Sequence, residues 1–295
     1  MELGDKLKNG SEPQYDCLIF DVDDTLYPVS SGLSAEVTKN IIEYMINKLG
    51  IEESKVPEMC VQLYKDYGTT MAGLRAVGYD FDYDDYHSYV HGRLPYELLK
   101  PDHVLRNILQ SLPIRKIIFS NGNDAHVAKV LNRLNLEGCF DDVISFETLN
   151  PIHNSSVSQN ENVGEFQFNS IEHLLFVQRR VFAYTICDLY TDSKCPKSPV
   201  VCKPFEESFE QAFKIVKVNP QKALFFDDSI RNLQSGKRMG LHTVWVGASQ
   251  RTEGVDYALE SIHNIREALP ELWEAVQKFA AVYSGEIPIE TPVKA

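Results

Sequence analysis

The sequence predicts an α/β fold: a Rossmann-like parallel sheet with a small helical cap inserted after the first strand. Three observations carry that expectation. Short apolar runs of buried-strand length recur at Cys17 to Phe20, Lys116 to Phe119 and Ala223 to Phe226, and each stops abruptly on polar or acidic residues. Helical periodicity follows each run, as in the strand-helix units of a parallel sheet. Between the first run and Pro101 only helical spacing occurs, so that segment reads as an all-helical insertion.

Taken in order, residues 1–14 read as a disordered polar leader. The first strand, Cys17 to Phe20, runs directly into Asp21, Asp23, Asp24 and Thr25. Ser34 is the expected N-cap of a helix with Val37, Ile41, Ile42, Met45 and Leu49 at helical spacing, and Gly50 is its stop. A second helix runs from near Pro57 to Tyr67, followed by Gly68 to Leu74 and an acidic, aromatic stretch from Tyr79 to Tyr89; residues 30–99 form the cap. Pro101-Asp102 opens a helix over Val104 to Leu112, which leads to the strand Lys116 to Phe119, the turn Ser120-Asn121-Gly122 and a helix from Asp124. Val143 to Phe146 is a third short strand.

The pattern then dissolves. Within a core of residues 15–29 and 100–250, residues 150–199 are expected as an irregular insertion. Residues 154–169 are polar, and Ile171 to Tyr190 reads either as an added helix or amphipathic element or as a loose insertion. Lys203-Pro204 precedes a helix over Glu206 to Val216. Ala223 to Phe226 ends on Asp227-Asp228-Ser229, and the helix after it is closed by Gly240. His242 to Val246 is expected as the last core strand, followed by C-terminal helices over 251–284, one of them around Leu272 to Tyr283, and a tail over 285–295.

With 295 residues, 43% of them hydrophobic, the chain can bury a sizeable core. A net charge of -13 and a pI near 5.1 argue against a nucleic-acid polymer or an anionic membrane as partner. A small anionic substrate stays compatible, because a metal and a few donors reverse the field locally. Cys17, Cys60, Cys139, Cys187, Cys195 and Cys202 stand singly, with no C-x-x-C and no zinc-like spacing, so free thiols in a reducing compartment are expected. No signal, transit or membrane-length apolar segment is read, and the expected location is cytoplasmic.

The chemistry concentrates at the strand ends. Side chains two apart on an extended chain project the same way, so Asp21 and Asp23 crowd two carboxylates together. A proton, a divalent cation or bulk water relieves that repulsion. A catalytic reading joins the first two, with one carboxylate attacking, the other passing a proton and Mg²⁺ neutralising the cluster. The other reading is an acidic turn in which Asp favours the bend. Ser120 and its adjacent amides at a helix start suit phosphate oxygens, although an ordinary strand-to-helix turn has the same composition.

Asp21-Val22-Asp23-Asp24-Thr25-Leu26 resembles the first motif of the haloacid dehalogenase (HAD) superfamily of hydrolases, hhhhDxDx[TV][LV]. Ser120, Lys203 and Asp227/Asp228 follow in the order of the remaining motifs of that superfamily. The resemblance covers roughly Tyr15 to Gly247, with the helical segment in the place of the smaller cap. Around the motifs, D-V-D-D-T-L-Y-P, Y-G-T-T-M-A-G-L, H-G-R-L-P-Y, F-S-N-G-N, V-C-K-P and F-F-D-D-S-I-R-N-L are similar to the pyrimidine 5′-nucleotidase-like branch of plants and fungi.

The resemblance implies a sheet of the HAD type and a Mg²⁺-dependent phosphatase working through an aspartyl-phosphate. Its substrate would be a small phosphorylated metabolite, a pyrimidine nucleoside 5′-monophosphate first and a sugar phosphate as the alternative. It implies that Asp21 attacks phosphorus, and that Asp23 protonates the departing hydroxyl and then activates water, with Ser120 and Lys203 completing the catalytic set. Mg²⁺ would be held by Asp21, the backbone carbonyl of Asp23, Asp228, and Asp227 directly or through water. Phosphate would be bound by Asp24, Ser120, Asn121, Gly122 and Lys203. A carboxylate at Asp23 favours phosphatase over dehalogenase, since cleaving an ester needs an acid for the alkoxide. Tyr67, Thr69, Thr70, His91 and Arg93 are the cap candidates for contacting base or sugar. The oligomeric state is left open. Residues 150–199 depart from the family pattern, and the alternative of another class is a non-catalytic binding or regulatory protein disabled by that insertion.

Overall fold

In a computed structural model of the chain, residues 14–151 and 196–273 are described. The leader up to residue 13, most of the expected insertion including Ile171 to Tyr190, the end of the helix expected around Leu272 to Tyr283, and the tail lie outside them.

Six strands form one parallel sheet: β1 (Cys17–Phe20), β2 (Arg115–Phe119), β3 (Asp142–Ile144), β4 (Ala223–Asp227), β5 (His242–Val246) and β6 (Tyr257–Leu259), in the order β3-β2-β1-β4-β5-β6. The unbroken apolar runs follow from burial on both faces. Leu18 and Phe20 of β1, with Leu224 and Phe226 of β4, enter one apolar cluster, while Cys17, Ile19, Ala223 and Phe225 enter another across the sheet. Phe20 and Phe226, partners in register, stack at 4.6 Å.

After β1 the chain lays β2 and β3 on one side, then returns to lay β4, β5 and β6 on the other. The strand order reverses between β1 and β4, and the crevice at the carboxyl ends there is where open α/β sheets take ligands. Because Phe20 pairs with Phe226, the next residues on each strand, Asp21 and Asp227, meet across that crevice.

Four helices fill the stretch after β1: α1 (Leu33–Asn47), α2 (Val56–Tyr67), α3 (Thr70–Ala76) and α4 (Tyr83–Val90). They share an apolar cluster that includes Tyr44, Leu63, Met71, Leu74, Tyr86 and Val90. The sheet is flanked by α5 (His103–Ser111), α6 (Asp124–Leu134), α7 (Phe146–Leu149), α8 (Glu206–Val216), α9 (Ile230–Arg238) and α10 (Ile265–Ala268). Arg231 of α9 ties the cap down, its Nη1 donating to the carbonyls of Tyr64 (3.2 Å) and Lys65 (2.7 Å) in the last turn of α2.

Several local expectations are corrected. Gly32, at φ 83°, precedes α1 in place of Ser34, whose hydroxyl instead donates to Asp24 Oδ1 at 2.7 Å. The segment after Gly68, for which the sequence names no element of its own, is helical as α3, capped by Thr69 Oγ1 on the amide of Ala72. The third strand stops at Ile144, because Ser145 and Thr148 form a capping box and Phe146 begins α7. His242 to Val246 is not the last strand: β6 pairs with it in the region expected to be helical. Three residues on a sheet edge are too few for strand alternation to register.

Candidate active site

Lys203 is the centre of the crevice. It is 1% exposed, and its Nζ donates to Asp21 Oδ1 (2.8 Å), Asp227 Oδ2 (2.8 Å) and the carbonyl of Phe119 (2.7 Å), so all three ammonium hydrogens are used at the ends of β1, β4 and β2. Burial alone would lower its pKa, but the two carboxylates outweigh burial and hold it above its usual range. The backbone that presents it is clamped by Asn121, which accepts from the amide of Lys203 (2.9 Å) and donates to its carbonyl (3.0 Å). The Lys203-Pro204 peptide is cis. Gly68 packs directly on it at φ 79°, where a Cβ would collide with the Lys203 carbonyl and Pro204, so only glycine fits.

Asp227 is held from behind. Its Oδ1 accepts from the amide of Ser229 (2.8 Å) and Asn232 Nδ2 (3.0 Å), and its Oδ2 takes Lys203. Oxygens of Asp21, Asp227 and Asp228 lie within 4.8 Å of one another. Three carboxylates around one ammonium leave an excess of negative charge. Burial, against the pull of Lys203 and with Asp227 and Asp228 adding to it, pushes the Asp21 carboxyl up. Burial and the charge of Asp227 push Asp228 up to about 7. Hard oxygen donors with uncompensated charge fit a hard divalent cation such as Mg²⁺, which Asp21 and Asp228 would hold with Asp227 close behind.

Asp23 faces elsewhere. Tyr27 Oη donates to its Oδ1 at 2.5 Å, and His126 Nε2 lies 2.8 Å from the same oxygen. His126 Nδ1 is 2.8 Å from the hydroxyl of Tyr96, which also donates to the carbonyl of His91 (3.1 Å). Burial would raise Asp23, but His126 and Tyr27 outweigh it and hold the carboxyl below its usual range. The side chain of Asp23 is therefore outside the carboxylate cluster that fits a cation.

A cavity of about 430 Å³ opens from these carboxylates towards the cap. Asn121 and Gly122 line it. Ser120 stands behind them, 1% exposed, with its hydroxyl accepting from the amide of Gly122 (2.9 Å). Asp24 lines it too, in the left-handed region at φ 56°, with burial raising its carboxyl and Ser34 opposing. Of the cap candidates, Thr69, Thr70 and His91 line the cavity. Tyr67 is buried in the cap cluster, and Arg93 pairs with Glu43 (2.7 Å) and covers the Tyr89 ring (4.4 Å) away from the cavity. His126 and Asn232 were missed by sequence reasoning, although both are the third residue of the helix that follows a motif strand. A polar side chain in that first turn faces the crevice, which is a usable signal. Tyr27, Tyr96 and His87 carry no comparable mark.

The fold and site together define an α/β protein with an acidic, lysine-centred crevice at the switch point of a parallel sheet and a helical layer over it. No protein-family model matches the chain. Among curated proteins, Phosphate metabolism protein 8 of Saccharomyces cerevisiae is 24% identical over 140 residues, 45% of this chain and 44% of that protein, so the match spans less than half of that relative. Among solved structures, the chain is similar to the magnesium-bound HAD-hydrolase YfnB of Bacillus subtilis (TM-score 0.47, 15% identity, 86% of this chain and 98% of that one). It is also similar to a HAD phosphatase from Thermococcus onnurineus (0.45, 15%, 85% and 96%) and to L-2-haloacid dehalogenase from Xanthobacter autotrophicus (0.45, 16%, 86% and 97%).

Proposed function

We propose that the chain is a phosphoric monoester hydrolase whose nucleophile is Asp21 and whose substrate is a pyrimidine nucleoside 5′-monophosphate. The observation that carries the reaction type is Lys203 Nζ at 2.8 Å from both Asp21 and Asp227 in the switch-point crevice, with Asp228 beside them. The nucleotide reading rests on the similarity of the motif surroundings and on a cavity in the size range of small-ligand sites.

An oxygen of Asp21 attacks phosphorus, a P–O bond to the carboxylate forms, and the bond to the departing oxygen breaks. Lys203 orients Asp21 and offsets charge there, while the backbone amide of Asn121, which lines the cavity, supplies a donor for a phosphoryl oxygen and Gly122 lines the wall beside it. Asp23 is held ionised at rest, so the proton it hands to the departing oxygen arrives with the ester. In the second half, Asp23 takes a proton from water as that water attacks phosphorus, and Asp21 is released with inorganic phosphate. Mg²⁺ held by Asp21 and Asp228 would neutralise charge on the transferring group.

The test is a panel of phosphate esters with Mg²⁺, with Asp21→Asn in parallel. UMP and CMP are expected to be preferred, and Asp21→Asn to lose at least about 10³-fold in phosphate release with an unchanged circular dichroism spectrum. An unaffected rate in that variant refutes the nucleophile. Preference for a sugar phosphate would remove the nucleotide and keep the phosphatase.

A further inference from the structure

The proton that Asp23 passes must sit on one of its carboxylate oxygens, and the surroundings of those oxygens differ. Oδ1 is enclosed: Tyr27 Oη donates to it at 2.5 Å, and His126 Nε2 lies 2.8 Å from the same atom. Oδ2 has no hydrogen-bond partner among the described residues, yet it is not a buried orphan. The buried side-chain atoms without a partner among those residues are Nε of Arg75 and the ring nitrogens of His87. Oδ2 therefore keeps accessible surface, on a residue that lines the cavity and whose side chain is 36% exposed.

The groups that enclose Oδ1 are themselves fixed. Tyr27 and His126 are both buried, and neither lines the cavity, so they reach the chemistry through Asp23 and not through substrate. Tyr96 Oη lies 2.8 Å from His126 Nδ1, which engages the second ring nitrogen. His91 stacks on the His126 ring at 4.4 Å between centroids. Gly122 closes on its edge, where a Cβ would lie 2.9 Å from His126 Cδ2. A carboxylate gripped at one oxygen by two buried side chains is held in one rotamer, and its other oxygen takes a fixed direction.

Resting on the phosphatase reading above, we infer that His126 and Tyr27 are positioning residues, which hold Asp23 by Oδ1 so that Oδ2 is the oxygen that carries the proton. The proton that arrives with the ester moves to Oδ2 and passes to the departing oxygen as the bond from that oxygen to phosphorus breaks. In the second half Oδ2 takes a proton from the attacking water, and that proton leaves with inorganic phosphate, restoring the carboxylate. Tyr96 supports His126 from its far nitrogen. Without these anchors Asp23 keeps its carboxyl but misplaces Oδ2, and an error of about 1 Å in a reacting group costs on the order of 10²-fold.

The test is kcat/KM of the full chain with Mg²⁺ on two esters, p-nitrophenyl phosphate and the alkyl phosphate that the wild type turns over fastest. Tyr27→Phe and His126→Phe are expected to lose about 10- to 10²-fold on the alkyl ester, in kcat more than in KM, and less than about threefold on p-nitrophenyl phosphate, whose leaving group needs no proton. His126→Gln, whose amide offers a donor at the reach of Nε2, should recover part of the loss. In an Asp23→Asn background, Tyr27→Phe should cost less than about twofold more, because no proton carrier remains to be aimed. Tyr27→Phe removes a single oxygen and is the variant read if His126→Phe does not melt cooperatively. An unchanged alkyl rate, equal losses on both esters, or full additivity with Asp23→Asn overturns the positioning role and leaves the phosphatase standing. A wild type that releases phosphate from neither ester overturns the phosphatase reading, and the positioning role with it.

Discussion

Asp21 and Asp23 stand two positions apart, and their neighbours give them opposite environments. Asp21 shares Lys203 with Asp227 and faces the carboxylate cluster, whereas Asp23 is fixed by Tyr27 and His126 and kept ionised. Pairs of carboxyls separated in this way by environment are how acid and nucleophile roles are divided. Asp23→Asn should therefore cost about 10²- to 10⁴-fold for alkyl phosphates and markedly less for p-nitrophenyl phosphate, whose leaving group needs no proton. Equal losses on both esters, measured as kcat/KM, would reject Asp23 as the proton carrier. His87 makes a separate prediction. Its pKa in the fold is about 4 against an ordinary 6.5, so the unfolded chain binds the proton first as pH falls. Stability from this group is complete above about pH 6.5 and drains away towards pH 4, amounting to roughly 2 kcal/mol between about pH 7.5 and pH 5. Denaturant unfolding at those two pH values should show a pH dependence smaller by that amount in His87→Phe than in the wild type.

At the level of elements, the turn between α2 and α3 couples the cap to the buried Lys203. Gly68 ends α2 with positive φ and presses on the Lys203 carbonyl, while Arg231 holds the last carbonyls of the same helix. Gly68→Ala should destabilise the protein by about 1–3 kcal/mol through backbone strain and displace the loop that carries Lys203. Turnover is then expected to fall several-fold more than the fraction folded, read from thermal melts beside assays on p-nitrophenyl phosphate. Most elements were visible in the sequence because one local signal sufficed. β1 and β4 carry continuous apolar runs, β2 ends in Ile117-Ile118-Phe119, and α5 is capped by Asp102, whose Oδ1 accepts from the amide of Leu105. Where two signals competed, the reading failed. Phe146 extends an apolar strand by composition, but the capping box of Ser145 and Thr148 turns it into the start of α7.

For the molecule as a whole, the strand order decides where charge accumulates. The reversal between β1 and β4 brings Asp21, Asp227 and Asp228 together around one lysine in an already acidic chain. Mg²⁺ should raise the thermal unfolding midpoint, with a gain of about 2.7 kcal/mol at a hundred times its dissociation constant, and chelation should abolish the gain. Asp228→Asn should lose most of this stabilisation. A midpoint indifferent to Mg²⁺ in the wild type would reject the cation site. Among the described residues no helix is long and apolar enough to cross a membrane.

Short-range chemistry was enough to read the sheet-forming runs, the cap position after β1, and the acidic, serine and lysine turns, because each depends on neighbours within a few positions. The partition of the carboxylates was not legible in that way. Spacing alone sets Asp23 beside Asp21, but Tyr27 and His126 draw it away, and His126, itself bonded to Tyr96, lies 103 residues along the chain from Asp23. Likewise the sequence offers Arg93 as a substrate contact, but in the fold its guanidinium pairs with Glu43, fifty residues away. Partners far apart in sequence are chosen by how helices pack on the sheet, and no local pattern encodes that choice.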